Sequence, residues 1–302
     1  MTAESIKPRR QVTRRAASQG QLEFRLDDWP EHVRGTPNVL LRSALFGIRQ
    51  VRPISRKLTP IAAPDGIEIR FKGEHFNQDD LDVWEALVHR ARKQPLGTYV
   101  RFTVNEILRE LDRDTGGSQH AQFHEELARL QGGVIEMRSP QLAKTLRETL
   151  VGKSRFDEAS ETYALMLSED LLKMYQTGYS WIDAEECKLF RKNALARYLY
   201  RFYTTHAEPF PYKVETLRDY CGSSTPRLTD FRKALRIALE LLKKNNAILD
   251  WKIDPRRDTV EIVKVPTPSQ RRHLARKRAE ADKHQVDQNE MDFNSPDSSD
   301  GK

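Results

Sequence analysis

The segment Leu228–Lys244 constrains the fold more than any other part of the chain. At 100° per residue, Phe231, Ala234, Leu235, Ala238, Leu239 and Leu242 gather on one side of a helix, and Thr229, Arg232, Lys233, Arg236, Glu240 and Lys243 on the other. Such a helix has to lay its apolar side on a core and turn its cationic side outward. Asn245-Asn246 ends it, and two β-prone runs follow, 247–253 and 259–265, joined by Asp254-Pro255-Arg256-Arg257-Asp258. Upstream, Lys188–His206 carries Leu195, Tyr198, Leu199 and Phe202 at helical spacing, Pro209 and Pro211 stop the chain, and Val214–Tyr220 supports a short helix ended by Cys221-Gly222. Three helices closed by a β-hairpin is the order of a winged helix, a relative of the helix-turn-helix.

The first half has a similar order. Extended sequence near Ile67–Lys72 precedes a helix over Gln78–Lys93, with Leu81, Trp84, Leu87, Val88 and Ala91 on one face. Tyr99–Phe102 alternates like a strand. Thr103, with Glu106 three residues later, opens a helix that runs through Leu111. His120–Gln131 supplies a third helix, with Phe123, Leu127 and Leu130 inward. Val134–Arg138 then starts a β-meander expected to continue through Arg147–Arg155 and Thr162–Leu167, and a short helix, Glu169–Tyr175, and a strand, Tyr179–Asp183, close this half. The expected fold is α+β: two tandem winged-helix domains, 41–184 and 185–265, between a flexible segment, 1–40, and a disordered tail, 266–302. In that tail the basic run Arg271–Arg278 continues as a fraying helix before the chain turns acidic and Ser/Asp-rich.

Composition excludes several function classes. With 302 residues, 31% charged and 38% hydrophobic, the chain has room for two modest cores. No apolar run approaches the roughly 18 residues of a membrane span, and the basic N-terminus lacks the apolar core of a secretory signal, so the expected location is the cytoplasm, with no membrane partner. Cys187 and Cys221 stand far apart, with no zinc-type spacing, and read as reduced, buried thiols. There is no Walker loop and no Gly-x-Ser-x-Gly motif. A nicking enzyme could draw on Tyr198, Tyr200 or Tyr203, but these lie in an apolar helical pattern and no His or carboxylate cluster is present to hold the metal such chemistry needs. The expectation is a protein that is not an enzyme, with no catalytic residues, metal or cofactor.

The formal charge of +7 favours a polyanionic partner, because each neutralised phosphate releases condensed counterions. The outward face of Leu228–Lys244 suits the major groove, where Arg or Lys pairs with guanine O6 and N7. The plainer alternative is a solvated surface helix. Against it stand the single acid on that face, Glu240, the helix's place as third in its group, and the hairpin tip, whose Arg256 and Arg257 suit a narrow minor groove. Arg227 and Lys213, in front of the third and second helices, are placed to add phosphate contacts. The candidate set for double-stranded DNA is thus Thr229, Arg232, Lys233, Arg236, Lys243, Arg227, Arg256, Arg257 and Lys213. The corresponding helix of the first half offers Gln119, His120, Gln122, His124 and Arg129 but is interrupted by Glu125 and Glu126, so it is expected to contribute shape, phosphate or protein contacts more than base reading.

Collinear segments between Leu22 and Val265 carry a family resemblance. They are Leu41-Arg-Ser-Ala-Leu-Phe46, then Leu81-Asp-Val-Trp84 leading to Pro95-Leu-Gly97 and Phe102. In the second half they are Arg201-Phe-Tyr-Thr-Thr-His206, Glu208-Pro-Phe-Pro-Tyr212, Glu215-Thr-Leu-Arg218 and Cys221-Gly-Ser223. In this order the sequence resembles the TrfA family of plasmid replication initiators. The resemblance implies two winged-helix domains that bind directly repeated origin sites (iterons) and help open an adjacent AT-rich segment. It implies host partners, namely the host initiator, the replicative helicase and the sliding clamp, and a monomer–dimer balance that restrains copy number. By position it puts the recognition helix on Leu228–Lys244. It also implies an N-terminal clamp-binding peptide, for which Gln21, Leu22 and Phe24 are the anchors here, although Arg25 stands where the family has an apolar residue. The alternative is a tandem winged-helix transcriptional regulator without initiator activity.

Overall fold

The computed structural model describes residues 14–16, 22–26, 28–64, 66–95, 97–140, 142, 145–167, 170, 174–175 and 177–279, the first two stretches mostly as backbone. The architecture is mixed, with helices packed against several small sheets. After a short first helix, α1 (Asn38–Arg42), the central element is α2, Gln78–Ala91. Asn77 starts this helix by accepting the backbone N–H groups of Asp79 and Asp80, while Asp80 reaches back to the Asn77 N–H in a capping box. The apolar stripe predicted for it is buried, and so are Gln78, Asp80, Glu85 and His89, because other elements surround the helix.

The two halves repeat one plan. In the first, α2 is followed by the strand Tyr99–Thr103, α3 (Val104–Glu110), α4 (Gly117–Gly132) and the strands Ser154–Asp157 and Thr162–Met166. The Thr103–Glu106 capping box forms as the sequence predicts. In the second half, α6 (Ala194–Thr204) leads to the strand Tyr212–Lys213, α7 (Val214–Tyr220), α8 (Leu228–Lys244) and the strands Asp250–Asp254 and Thr259–Val263. In each half these three strands make an antiparallel sheet with the last strand in the middle.

Several expectations from sequence change. The meander does not form: Val134–Arg138 and Leu146–Thr149 leave the first-half sheet and join Glu68–Glu74 and Ile54–Ile61 in a separate four-stranded sheet. Alternation sets which side chains share a face but not which strands pair. Here Ile135 and Met137 sit opposite Phe71 and Ile69, and all four are buried. The helix expected over Lys188–His206 begins only at Ala194, as α6, because the Asn193 side chain accepts the Ala196 N–H and caps a new start; the short α5, Ala184–Lys188, precedes it. The flexibility expected of residues 1–40 does not hold throughout, since Leu26, Trp29 and Val33 are buried and Val33–Pro37 pairs with Tyr179–Asp183. In that stretch Gly35 makes room, since a Cβ there would meet the Trp29 ring at 2.8 Å. The basic run is helical, as expected, but over 268–279 it is docked on the protein through Gln270 and does not fray. Of the expected short helix Glu169–Tyr175, Asp170, Met174 and Tyr175 are described, the first in a turn and the other two helical; 1–13 and 280–302 lie outside the described residues.

A single apolar cluster runs through both halves, from Leu26 to Ile262. The seam is closed by arginines of α6. Arg197 bonds Asp79 at 2.7 Å, the Gln78 carbonyl at 2.7 Å and Asp82 at 2.5 Å; Arg201 bonds Asp82 at 2.6 Å, Glu85 at 2.7 Å and the Gln78 side chain at 2.9 Å.

Two buried histidines make stability depend on pH. Burial, then Arg34, pushes His89 down to about 4, and burial, then Arg42, does the same to His206. The folded chain holds both rings neutral where the unfolded chain, titrating near 6.5, binds protons. Their contribution is therefore complete above about pH 6.5 and is lost as the pH falls toward 4. The thermal midpoint should drop steadily between pH 7 and pH 4.5, and His206→Gln should flatten part of that slope. An unchanged midpoint across the interval would contradict the burial of neutral imidazoles.

Candidate nucleic-acid interface

Helix α8 forms over the predicted bounds, with Phe231, Leu235, Ala238, Leu239 and Leu242 buried against α6 and the hairpin. Ala234, assigned from the pattern to the buried side, is exposed, because it lies at the margin of the stripe and is too short to reach the core. Ile237 also points outward and is 64% exposed.

The cations on the outer side separate into distinct roles. Arg232 makes two bonds to Asp258, Nε at 2.8 Å and Nη2 at 2.7 Å, a forked pair that ties the helix to the residue ending the hairpin turn. These bonds hold the Asp258 carboxyl below its usual range. Asp258 sits in the left-handed region at φ 52, which asparagine and aspartate tolerate better than most residues. Arg232, one of the candidate DNA contacts, is thus held as a strut between helix and hairpin. Asp254 accepts the backbone N–H groups of Arg256 and Arg257 at 2.7 and 3.0 Å, which fixes the turn and leaves both guanidiniums exposed without an ion pair among the described residues. Lys213 stands beside this tip: it pairs with Thr259, and the next N–H, of Val214, donates to the Asp258 carbonyl at 2.9 Å.

Arg227, Thr229 and Arg236 are exposed, and neither arginine has an ion pair among the described residues. Lys233 is exposed and faces Asp230 at 3.4 Å. Asp230 is itself exposed, so the outward side carries Asp230 as well as Glu240, one more acid than the sequence pattern suggested. Lys243 bonds Asp250 at 2.8 Å, roughly 20 Å along the helix from Thr229 at 1.5 Å per residue, and falls away from the cluster. Arg227, Thr229, Lys233, Arg236, Arg256, Arg257 and Lys213 are thus all exposed, and the Arg232–Asp258 pair ties the helix bearing Thr229, Lys233 and Arg236 to the hairpin bearing Arg256 and Arg257.

The third helix of the first half, α4, uses its polar residues for packing. Arg129 is buried and bonds Asp80 at 2.9 Å; Gln122 donates to Glu126 at 2.8 Å, and Arg113 reaches the same carboxylate at 2.7 Å. His120 meets the Asn105 side chain at 2.9 Å and His124 the Tyr163 hydroxyl at 2.7 Å. Tyr198, Tyr200 and Tyr203 are buried, and burial pushes all three hydroxyls up, away from the phenolate a nucleophile needs. Cys187 and Cys221 are free, and burial pushes both thiols up to about 12. Among the described residues, no cluster of His, Cys, Asp or Glu could hold a metal and no helix is long and apolar enough to cross a membrane. Gln21 lies outside the described residues; the backbone of Leu22–Phe24 pairs with Arg14–Ala16, and the Leu22 and Phe24 side chains lie outside what is described.

A family model described as TrfA protein matches residues 9–255. The chain belongs to the TrfA family. The plasmid replication initiator protein TrfA of Escherichia coli is 26% identical over 238 residues, covering 74% of this chain and 60% of that protein. The chain therefore spans about 60% of the length of this curated TrfA relative. Two structures of domains 2 and 3 of RctB are more distantly similar, each 12% identical. One covers 67% of this chain and 82% of its own at a TM-score of 0.44, the other 68% and 84% at 0.47. The TrfA match ends at the hairpin turn, so the final strand and the helix over 268–279 lie beyond it.

Two parts of the arrangement were missed in the sequence. The α6 arginines had a signal: Arg197 and Arg201 are four apart, and Asp79, Asp82 and Glu85 recur every three residues on α2, so each set shares a face. The Arg232–Asp258 pair had none, since it spans 26 residues and depends on how the hairpin folds back.

Proposed function

We propose that this TrfA-family chain is a plasmid replication initiator that reads repeated duplex sites through tandem winged-helix units, one in 41–184 and one in 185–265, the second being the main reader. The repeated helix and strand order, with the last strand central in each sheet, supports the winged-helix reading. The observation that carries the DNA reading is the forked Arg232–Asp258 pair, which fastens the hairpin turn carrying the exposed Arg256 and Arg257 to the helix bearing Lys233 and Arg236. In this reading α8 enters the major groove. Arg236 pairs with a guanine, Ile237 lies against a thymine methyl, and the hairpin tip with Lys213 and Arg227 holds flanking phosphates. The chain works without a cofactor and without catalysis of its own. In the cytoplasm it opens neighbouring AT-rich DNA and engages the host initiator, the helicase and, through Gln21, Leu22 and Phe24, the sliding clamp. A monomer–dimer balance restrains it.

Fluorescence anisotropy with a repeat-bearing duplex and a scrambled one tests the central claim. Arg236→Ala should weaken binding to the repeat about 5- to 150-fold and relax preference at one base pair. Lys213→Ala should weaken both duplexes alike and lower the salt slope by about one unit. Equal affinity of the unaltered chain for both duplexes would overturn the proposal. Failure of a plasmid carrying only this gene and its origin to replicate in any supporting host would leave the transcriptional regulator instead.

A further inference from the structure

We propose that the helix over 268–279 is a second, sequence-independent binding site for the phosphate backbone of duplex DNA, separate from the face built on α8. The helix is built to stay in place. Thr267 accepts the Gln270 backbone N–H at 3.2 Å while the Gln270 side chain accepts the Thr267 N–H at 3.1 Å, a capping box at its start. Gln270 also donates to the Thr204 carbonyl at 2.8 Å, and Lys264, just ahead, donates to the carbonyls of Tyr203 and His206 at 2.9 and 3.0 Å. These carbonyls lie at and just beyond the end of α6, where a helix leaves acceptors open.

What the anchor presents is almost entirely positive. Residues 268–279 include Arg271, Arg272, Arg276, Lys277 and Arg278 and no acid. Arg271, Arg272, Lys277 and Arg278 are exposed and make no ion pair among the described residues. Arg272 and Arg276 stand four apart, a like-charge spacing that works against a helix. A surface helix usually offsets like charges with interspersed acids, and 268–279 contains none. The cations point around the helix and not along one stripe, which suits a backbone of phosphates better than a row of base edges. The helix also lacks the apolar face that would let it lie in a membrane surface: Leu274, its one large apolar residue, is half-buried on the protein.

Position separates this site from the first. The strand Thr259–Val263 leads away from the hairpin tip, and at about 3.3 Å per residue Lys264 emerges roughly 20 Å from it. The two basic elements therefore occupy opposite ends of the hairpin, where one chain can hold two stretches of backbone.

The test uses the full chain and a duplex without origin repeats, titrated between about 50 and 200 mM salt. The combined variant Arg271→Ala, Arg272→Ala, Lys277→Ala and Arg278→Ala should bind this duplex more weakly, with a salt slope lower by about 0.9 for each phosphate no longer neutralised. A companion variant with lysine at 271, 272 and 278 should keep the slope, because a phosphate needs the charge and not the guanidinium fork; it also controls for folding. An unchanged slope in the alanine variant overturns the site. So does helix-dependent flotation on phosphatidylserine vesicles with duplex affinity unaffected. Failure of the base-reading proposal would look different, as a lack of preference for repeats in the unaltered chain.

Discussion

Replacing Arg201 with alanine should cost about 3–5 kcal/mol of folding stability, measured by urea denaturation. The Arg201 side chain is 3% exposed and lies against Glu85, 4% exposed, and Asp82. Removing it leaves Glu85 buried without its cation, and the cost is that of an uncompensated charge more than that of the missing packing. A domain of ordinary stability, about 5–15 kcal/mol, would lose a large share of it. The double variant Arg201→Met with Glu85→Gln removes both charges and should recover part of the loss. A loss below about 1 kcal/mol in Arg201→Ala would mean that Arg201 adds little to the seam and that Arg197 and apolar packing hold it. The same network sets an acid limit. Burial pushes the Asp82 carboxyl up, but Arg197 and Arg201 outweigh burial and hold it at about 2. Its contribution is present above the unfolded value near 3.9 and disappears as the pH falls through about 2.

Trp29→Ala should cost about 3–5 kcal/mol as well, by leaving a cavity. Trp29 is 2% exposed, stacks on Tyr175 with ring centroids 6.5 Å apart and donates its indole N–H to His89 Nδ1 at 3.0 Å. Its ring fills the space above Gly35, so its loss frees the strand Val33–Pro37, which pairs with Tyr179–Asp183. Proteolysis should then cut at Arg34 under conditions where the unaltered chain resists, because Arg34 is otherwise held by Glu110 at 2.8 Å and by backbone carbonyls. If Trp29→Ala melts within a degree or two of the unaltered chain and resists protease, the N-terminal strand does not depend on the indole.

Local signals carried far in this protein. The Thr103–Glu106 box, the bounds of α8 and the hairpin after it depend on residues within a few positions of one another, and their side chains choose the backbone conformation before any tertiary contact forms. Partner choice over long separations was not legible. Val134–Arg138 has the alternation of a strand, which fits either of two sheets, and only the apposition of Ile135 with Phe71 selects one. Trp29 lies in a stretch rich in chain breakers, and its burial depends on α2, some 60 positions away.

The candidate interface divides along the same line. From the sequence alone came the helix, its two faces and the positive charge on the outer one, since 3.6-residue periodicity is a property of the chain itself. Which cations are free to meet another molecule was decided by the folded chain: Asp258 takes Arg232 and Asp250 takes Lys243, while Arg227, Arg236, Arg256 and Arg257 keep their charges outward. The physical reason is range. A helix forms from neighbours in sequence, but an ion pair needs two groups within about 4 Å, and only the packing of hairpin on helix sets that distance.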